Sequence, residues 1–124
     1  MSNTEYSPKS EARRIFEYLC NQAETLSLPS NIHVIKDNVT FTSDEERVYF
    51  PIPFKETETV AALKAVEGCV VSAIADLRFG KEERQIAVSL EKATCFLFQA
   101  YLATIGGYGK LDEGAKSKVK SKLL

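Results

Sequence analysis

Two carboxylates stand two residues apart, Glu56 and Glu58, just after Pro51 and Pro53 and at the start of a long run with helical spacing. A carboxylate there is favoured by the positive end of the helix macrodipole. It can attack an acyl carbon as a nucleophile or exchange protons as an acid–base partner. Acids are also common in the first turn of any helix for the same reason, so the pair alone marks a helix start as well as it marks chemistry. The one histidine, His33, has no Gly-x-Ser-x-Gly elbow or Cys–His arrangement near it and is read as a structural or surface residue. One histidine and scattered carboxylates supply too few ligands for a metal, so none is expected. Cys20, Cys69 and Cys95 are odd in number and widely spaced. They match neither a disulfide framework nor a zinc site, and they read as reduced thiols of an intracellular protein. Gly106-Gly107-Tyr108-Gly109 follows a helical stretch rather than a strand, so it reads as a helix C-cap and loop, not a phosphate cradle.

The elements that must position these groups can be read from caps and periodicity. Ser7 followed by Pro8 predicts a helix start, and Ala12, Ile15, Phe16, Leu19, Cys20 and Ala23 recur on one face until Leu28-Pro29-Ser30-Asn31. The pieces 32–35, 39–41 and 47–50 are β-branched or aromatic and read as short strands or extended loops. Thr57 or Thr59 is expected to cap the next helix, which runs to Phe79-Gly80. Val60, Leu63, Val66, Val70, Ile74 and Leu77 form its apolar stripe, and interleaved alanines make most of the remaining surface apolar, which predicts burial on several sides. Ile86, Val88 and Leu90 alternate as a strand, and a helix is expected from Glu91 to about residue 105. The fold class expected is therefore α/β with helices dominating.

The chain has 124 residues, room for one ordinary domain, and 16 Lys and Arg against 17 Asp and Glu. That balance excludes the broad basic field of a protein held to nucleic acid by phosphate contacts. The charge is uneven, because residues 110–124 carry +3 and residues 1–109 carry −4, so 110–124 is set apart as a basic helix or tail. The most apolar run, 95–105, is 11 residues long against the ~20 of a membrane span, so no membrane association is expected. The N-terminus lacks the charge and apolar core of a signal peptide. Ser121-Lys122-Leu123 is a peroxisomal tripeptide one residue short of the end, which leaves the cytoplasm as the expected location.

The segment 51–93 resembles the class III CoA-transferases, the family of formyl-CoA transferase, carnitine CoA-transferase and α-methylacyl-CoA racemase. Gly68, Val70, Val71, Ala73, Arg78 and Gly80 fall on the family's small-residue helix and its glycine turn. Gln85, Val88, Ser89, Leu90 and Ala93 fall on the strand and second helix that follow. The resemblance covers about a third of the chain well. It rests on the order helix, glycine turn, Gln-strand and helix rather than on a single motif. Twenty-two residues before Gly80, where the family keeps its catalytic aspartate, stands Glu58, flanked by Thr57 and Thr59 instead of glycines. The turn 80–85 is two residues longer than the family's Gly-x-Gly-Gln.

The resemblance implies a partial CoA-transferase domain over residues 1–109. It implies an acyl-CoA thioester as substrate, coenzyme A transfer or α-methylacyl racemisation as the activity, Glu58 as the catalytic carboxylate, and a role in secondary metabolism. Family members are several times longer and form interlocked dimers. A homodimer or a companion polypeptide is thus expected, and the apolar surfaces of 60–77 and 95–105 point the same way. Nothing before Pro51 resembles the family's nucleotide-binding unit, so a truncated member is expected whose isolated chain does not turn over. The alternative is a non-catalytic interaction or subunit module built on the same scaffold.

Overall fold

The computed structural model describes residues 5–99, 103–104, 107–109, 112–114 and 116–117. Helix α1 spans Pro8–Asn21 and starts as its sequence dictates, with the Ser7 hydroxyl accepting from the Ser10 amide at 3.3 Å and Pro8 in the first turn. Its buried face is Pro8, Ala12, Phe16 and Cys20. A turn through Ser27, at φ 54°, closes with the Leu28 amide on the Ala23 carbonyl at 2.8 Å. Helix α2 follows at Ile32–Ile35, then a 3₁₀ turn at Lys36–Asn38 and strand β1 at Val39–Thr42. Helix α3 spans Glu56–Phe79, strand β2 Ile86–Ser89 and helix α4 Leu90–Leu97. The fold is therefore a small, helix-dominated α/β arrangement of four helices and a two-stranded sheet among the described residues.

The two strands run parallel, with Val39 beside Ile86 and Thr42 beside Ser89. Parallel neighbours require a crossover, and α3 supplies it, making β1–α3–β2 the unit that organises the fold. Arg13 of α1 donates to the Val39 carbonyl and lies over the Phe16 and Phe41 rings at 5.6 and 5.3 Å. Phe16 and Phe41 meet edge to face at 5.9 Å. Fully or nearly fully buried around them are Cys20, Ile32, Val39, Cys69 and Leu90. Gly80, at φ 89°, ends α3 in a conformation that disfavours a side chain, its amide bonded to the Asp76 carbonyl.

Several expectations are corrected. Residues 32–35 form a helical turn rather than a strand, because the Ile32 amide bonds the Pro29 carbonyl and the Val34 and Ile35 amides bond Asn31. Residues 47–50 take the loop alternative, outside the sheet. Neither Thr57 nor Thr59 caps α3. Lys55 is the cap residue, with no side-chain cap bond, and the Thr59 hydroxyl donates back to the Lys55 carbonyl at 2.6 Å. The core face of α3 is Ala61, Ala62, Ala65, Cys69, Ser72 and Ala73, while Leu63, Val71, Ile74 and Leu77 of its apolar surface are exposed. Short side chains let α1 lie close against α3, which leaves the bulkier aliphatics outside.

The chain divides into two units, Met1–Thr94 and Cys95–Leu124. In the second, the Gly109 amide bonds the Asp112 carboxylate at 2.8 Å. Helix α4 ends at Leu97, short of the residue 105 expected, and Ala103 and Thr104 are not helical. Residues 100–102 and 105 and most of the basic 110–124 segment, with Ser121, Lys122 and Leu123, lie outside the described residues. Among the described residues no helix is long and apolar enough to cross a membrane.

Candidate functional site

The strand-to-helix turns of a parallel unit gather helix N-termini at the carboxyl ends of the strands, where open α/β sheets bind ligands. Here β1 leads through a strap, residues 43–55, into the first turn of α3, and β2 passes directly into α4. Glu58 sits in that first turn and is 5% exposed. The Tyr6 hydroxyl, 52 residues away in sequence, donates to Glu58 Oε1 at 2.6 Å. Oε2 accepts no hydrogen bond among the described residues. Burial, and then the Glu58 carboxylate, hold the Tyr6 phenol well above its ordinary pKa, so it remains a donor.

The Glu58 carboxylate and Tyr6 line a cleft of about 180 Å³ whose other walls are apolar: Val48, Phe50, Ile52, Pro53 and Phe54 from the strap. Lys55 completes the lining, its ammonium 5.5 Å from the Tyr6 ring centre and 2.8 Å from Glu11. Glu56 is exposed and does not line the cleft. The two sequence-paired acids are therefore separated, one buried against Tyr6 and one in solvent.

The first half of the strap is tied on two sides. Glu91, in the first turn of α4, accepts from the Asp44 amide at 2.6 Å and from the Tyr49 hydroxyl on one oxygen, and from the Ser89 hydroxyl at 2.8 Å on the other. Partial burial pushes the Glu91 pKa up, but these donors outweigh it and hold the carboxyl at about 2. On the other side Glu46 takes a hydrogen bond from the Ser7 hydroxyl at 2.6 Å and a salt bridge from Lys9 at 2.9 Å. Beneath, Thr57 is buried with its hydroxyl 3.1 Å from that of Thr94. Thr94 spends its proton on the Leu90 carbonyl at 2.9 Å, so Thr57 is the donor of the pair.

A second cleft, about 490 Å³, lies at the far end of α3 and is lined by Asp76, Lys81, Glu82, Glu83 and Arg84 among others. Arg84 is committed to Asp76, so the cleft presents no unpaired guanidinium. His33 is exposed on α2 and lines neither cleft. Cys20 and Cys69 are buried free thiols, their pKa values raised by burial, to about 11 at Cys69. Among the described residues no three His, Cys, Asp or Glu side chains converge as a metal site. Sequence reasoning singled out Glu58 as a candidate, and the structure sets Tyr6 and Lys55 beside it and Glu91 under the strap, none of which it named as a site residue. Only the Ser7-Pro8 cap beside Tyr6 gave a local signal, and it spoke of helix α1 alone. Comparison with protein-family models, with curated proteins and with solved structures finds no match to this chain.

Proposed function

We propose that this chain is a class III CoA-transferase-like protein that handles acyl-CoA thioesters, with β1–α3–β2 as part of that fold and Glu58 as the reacting carboxylate. The observation that carries the reading is a buried carboxylate with one oxygen unpaired among the described residues, in an apolar cleft at the carboxyl end of a parallel unit. Oε2 attacks the thioester carbonyl carbon. A carbon–oxygen bond forms, the carbon–sulfur bond breaks, and the thiolate leaves with the electron pair, giving a mixed anhydride on Glu58. Tyr6 holds the other oxygen and fixes the approach angle, and the start of α3 favours the anion. In a racemase variant of the same reading, the carboxylate exchanges the α-proton instead. Three free thiols support a reducing, cytoplasmic setting.

The test uses a small thioester, which needs no nucleotide contacts. Incubated with an acyl-N-acetylcysteamine, the wild-type chain is expected to release up to one equivalent of thiol and to give a hydroxamate when quenched with hydroxylamine. Glu58→Gln is expected to release none while Glu56→Gln behaves as wild type. No release by the wild type, together with no α-proton exchange in deuterated water, sinks the reading.

A second reading, a non-catalytic interaction module, draws on the outward face of α3. Leu63, Val71, Ile74 and Leu77 are exposed there, Leu77 at 88%, and a contiguous apolar face of this kind marks an interface. Glu67 and Arg78 lie on the same face in opposite halves of the helix. A second copy running antiparallel brings each Glu67 against the other's Arg78, an isologous pairing, whereas a parallel copy sets like charge against like. Sedimentation is expected to show a dimer for wild type and a monomer for Leu77→Glu. A wild-type monomer at every concentration refutes this reading.

A further inference from the structure

The cleft over Glu58 has a size as well as a polarity. Its volume of about 180 Å³ compares with the ~150 Å³ engineered apolar cavity that takes up benzene. Two aromatic rings, Phe50 and Phe54, with Val48, Ile52 and Pro53, form the walls, and the Glu58 carboxylate and Tyr6 provide the polar groups. Phe54 is 68% and Val48 48% exposed. Bulky apolar side chains are thus kept in water along the rim of a concave site, which is the arrangement that gains most when an apolar ligand covers them. The first half of the strap that carries them is tied through Asp44 and Tyr49 to Glu91 and through Glu46 to Ser7, and its other end runs into α3.

We infer that this cleft selects a compact acyl group of phenyl size, aromatic or short and branched, and excludes extended straight chains. The inference rests on the acyl-thioester reading for its reactive end, but the selection itself comes from the walls. A ring fills the space between Phe50 and Phe54 with its carbonyl carbon toward Glu58. An eight-carbon chain has more length than the cleft can enclose and leaves its end in water.

The experiment measures thiol release from N-acetylcysteamine thioesters carrying benzoyl, isovaleryl and octanoyl groups, with the full chain as it stands. Benzoyl and isovaleryl are expected to react at least tenfold faster than octanoyl. Phe54→Ala, at an exposed position where folding is not at stake, is expected to slow benzoyl and to narrow that ratio severalfold. Equal rates across the series, or a ratio untouched by Phe54→Ala, overturn the inference while leaving the role of Glu58 standing. If no thioester reacts, benzamide binding decides: amide shifts confined to residues 48–58 and lost in Phe54→Ala support the compact site, and their absence overturns it.

Discussion

Replacing Gly68 by alanine sets two effects of opposite sign against each other. Glycine in a helix interior costs about 0.8–1.0 kcal/mol relative to alanine, so the change should stabilise α3 if the added methyl met nothing. It meets β2: a Cβ built on Gly68 lies 2.8 Å from Ile86 Cγ2. Forcing an extra methyl into a packed contact costs typically ~1–3 kcal/mol, so the net expectation is a loss of about 0–2 kcal/mol. The competition is separated by a double-mutant cycle with Ile86→Ala, which removes Cγ2 and leaves only Cβ, 4.0 Å away. In that background Gly68→Ala should stabilise by about 1 kcal/mol, giving a coupling of roughly 1–3 kcal/mol. Urea titrations followed by circular dichroism measure all four corners. If Gly68→Ala raises the stability of the wild type by the full helix-propensity gain, α3 does not approach β2 as closely as described, and the crossover that places Glu58 is wrong.

Two further outcomes test the frame of the site. Glu91→Gln removes the charge that three donors share and leaves a single carbonyl oxygen for them. Since hydrogen bonds to charged groups are worth ~1.5–3 kcal/mol, stability should fall by about that amount, and proteolysis should begin in the strap 43–55. An unchanged cleavage pattern would show that Glu91 does not hold the strap. Glu11 and Glu91 both sit at about 2 in the folded chain against an ordinary 4.5, Glu11 because Arg14 and Lys55 bond to it. A depressed folded value means their contribution is complete above pH 4.5 and disappears as pH falls toward 2. Denaturant midpoints should therefore drop through that window, and the Glu91→Gln variant should drop less steeply there.

Helix α1 was legible because its signals are local: a Ser-Pro start and apolar residues at 12, 16 and 20 on one face. The extent of α3 was legible for the same reason, since nothing between Glu56 and Gly80 interrupts a helix. Which face of α3 is buried was not. Hydrophobic ranking favours Leu63, Ile74 and Leu77, but the distance to α1 is set by Ala61, Ala62 and Ala65, which are fully buried. The stretch 32–35 misled by propensity, because β-branched residues form strands only when a neighbour pairs with them. Here the Pro29 and Asn31 carbonyls take the amides of Ile32, Val34 and Ile35 and draw 32–35 into a helical turn. Tyr6 could not be found at all, for its meaning depends on a contact spanning 52 residues.

The two acids at the carboxyl end of the sheet differ in how burial and bonding treat them. Glu91 has both oxygens occupied, with the Asp44 amide and the Tyr49 and Ser89 hydroxyls fixed on them. Each donor lowers the carboxylate's affinity for a proton, and by the same effect lowers the electron density available for attack. Such a group holds a strap and does little else. Glu58 is more deeply buried than its sequence neighbour Glu56 yet meets a single donor, on a single oxygen. Its other oxygen has no donor among the described residues, and the start of α3 favours the anion there. Its carboxylate lines the cleft whose other walls are the apolar side chains of the strap. The same fold thus holds one carboxylate saturated with donors on the strap and one with a single donor beside the cleft.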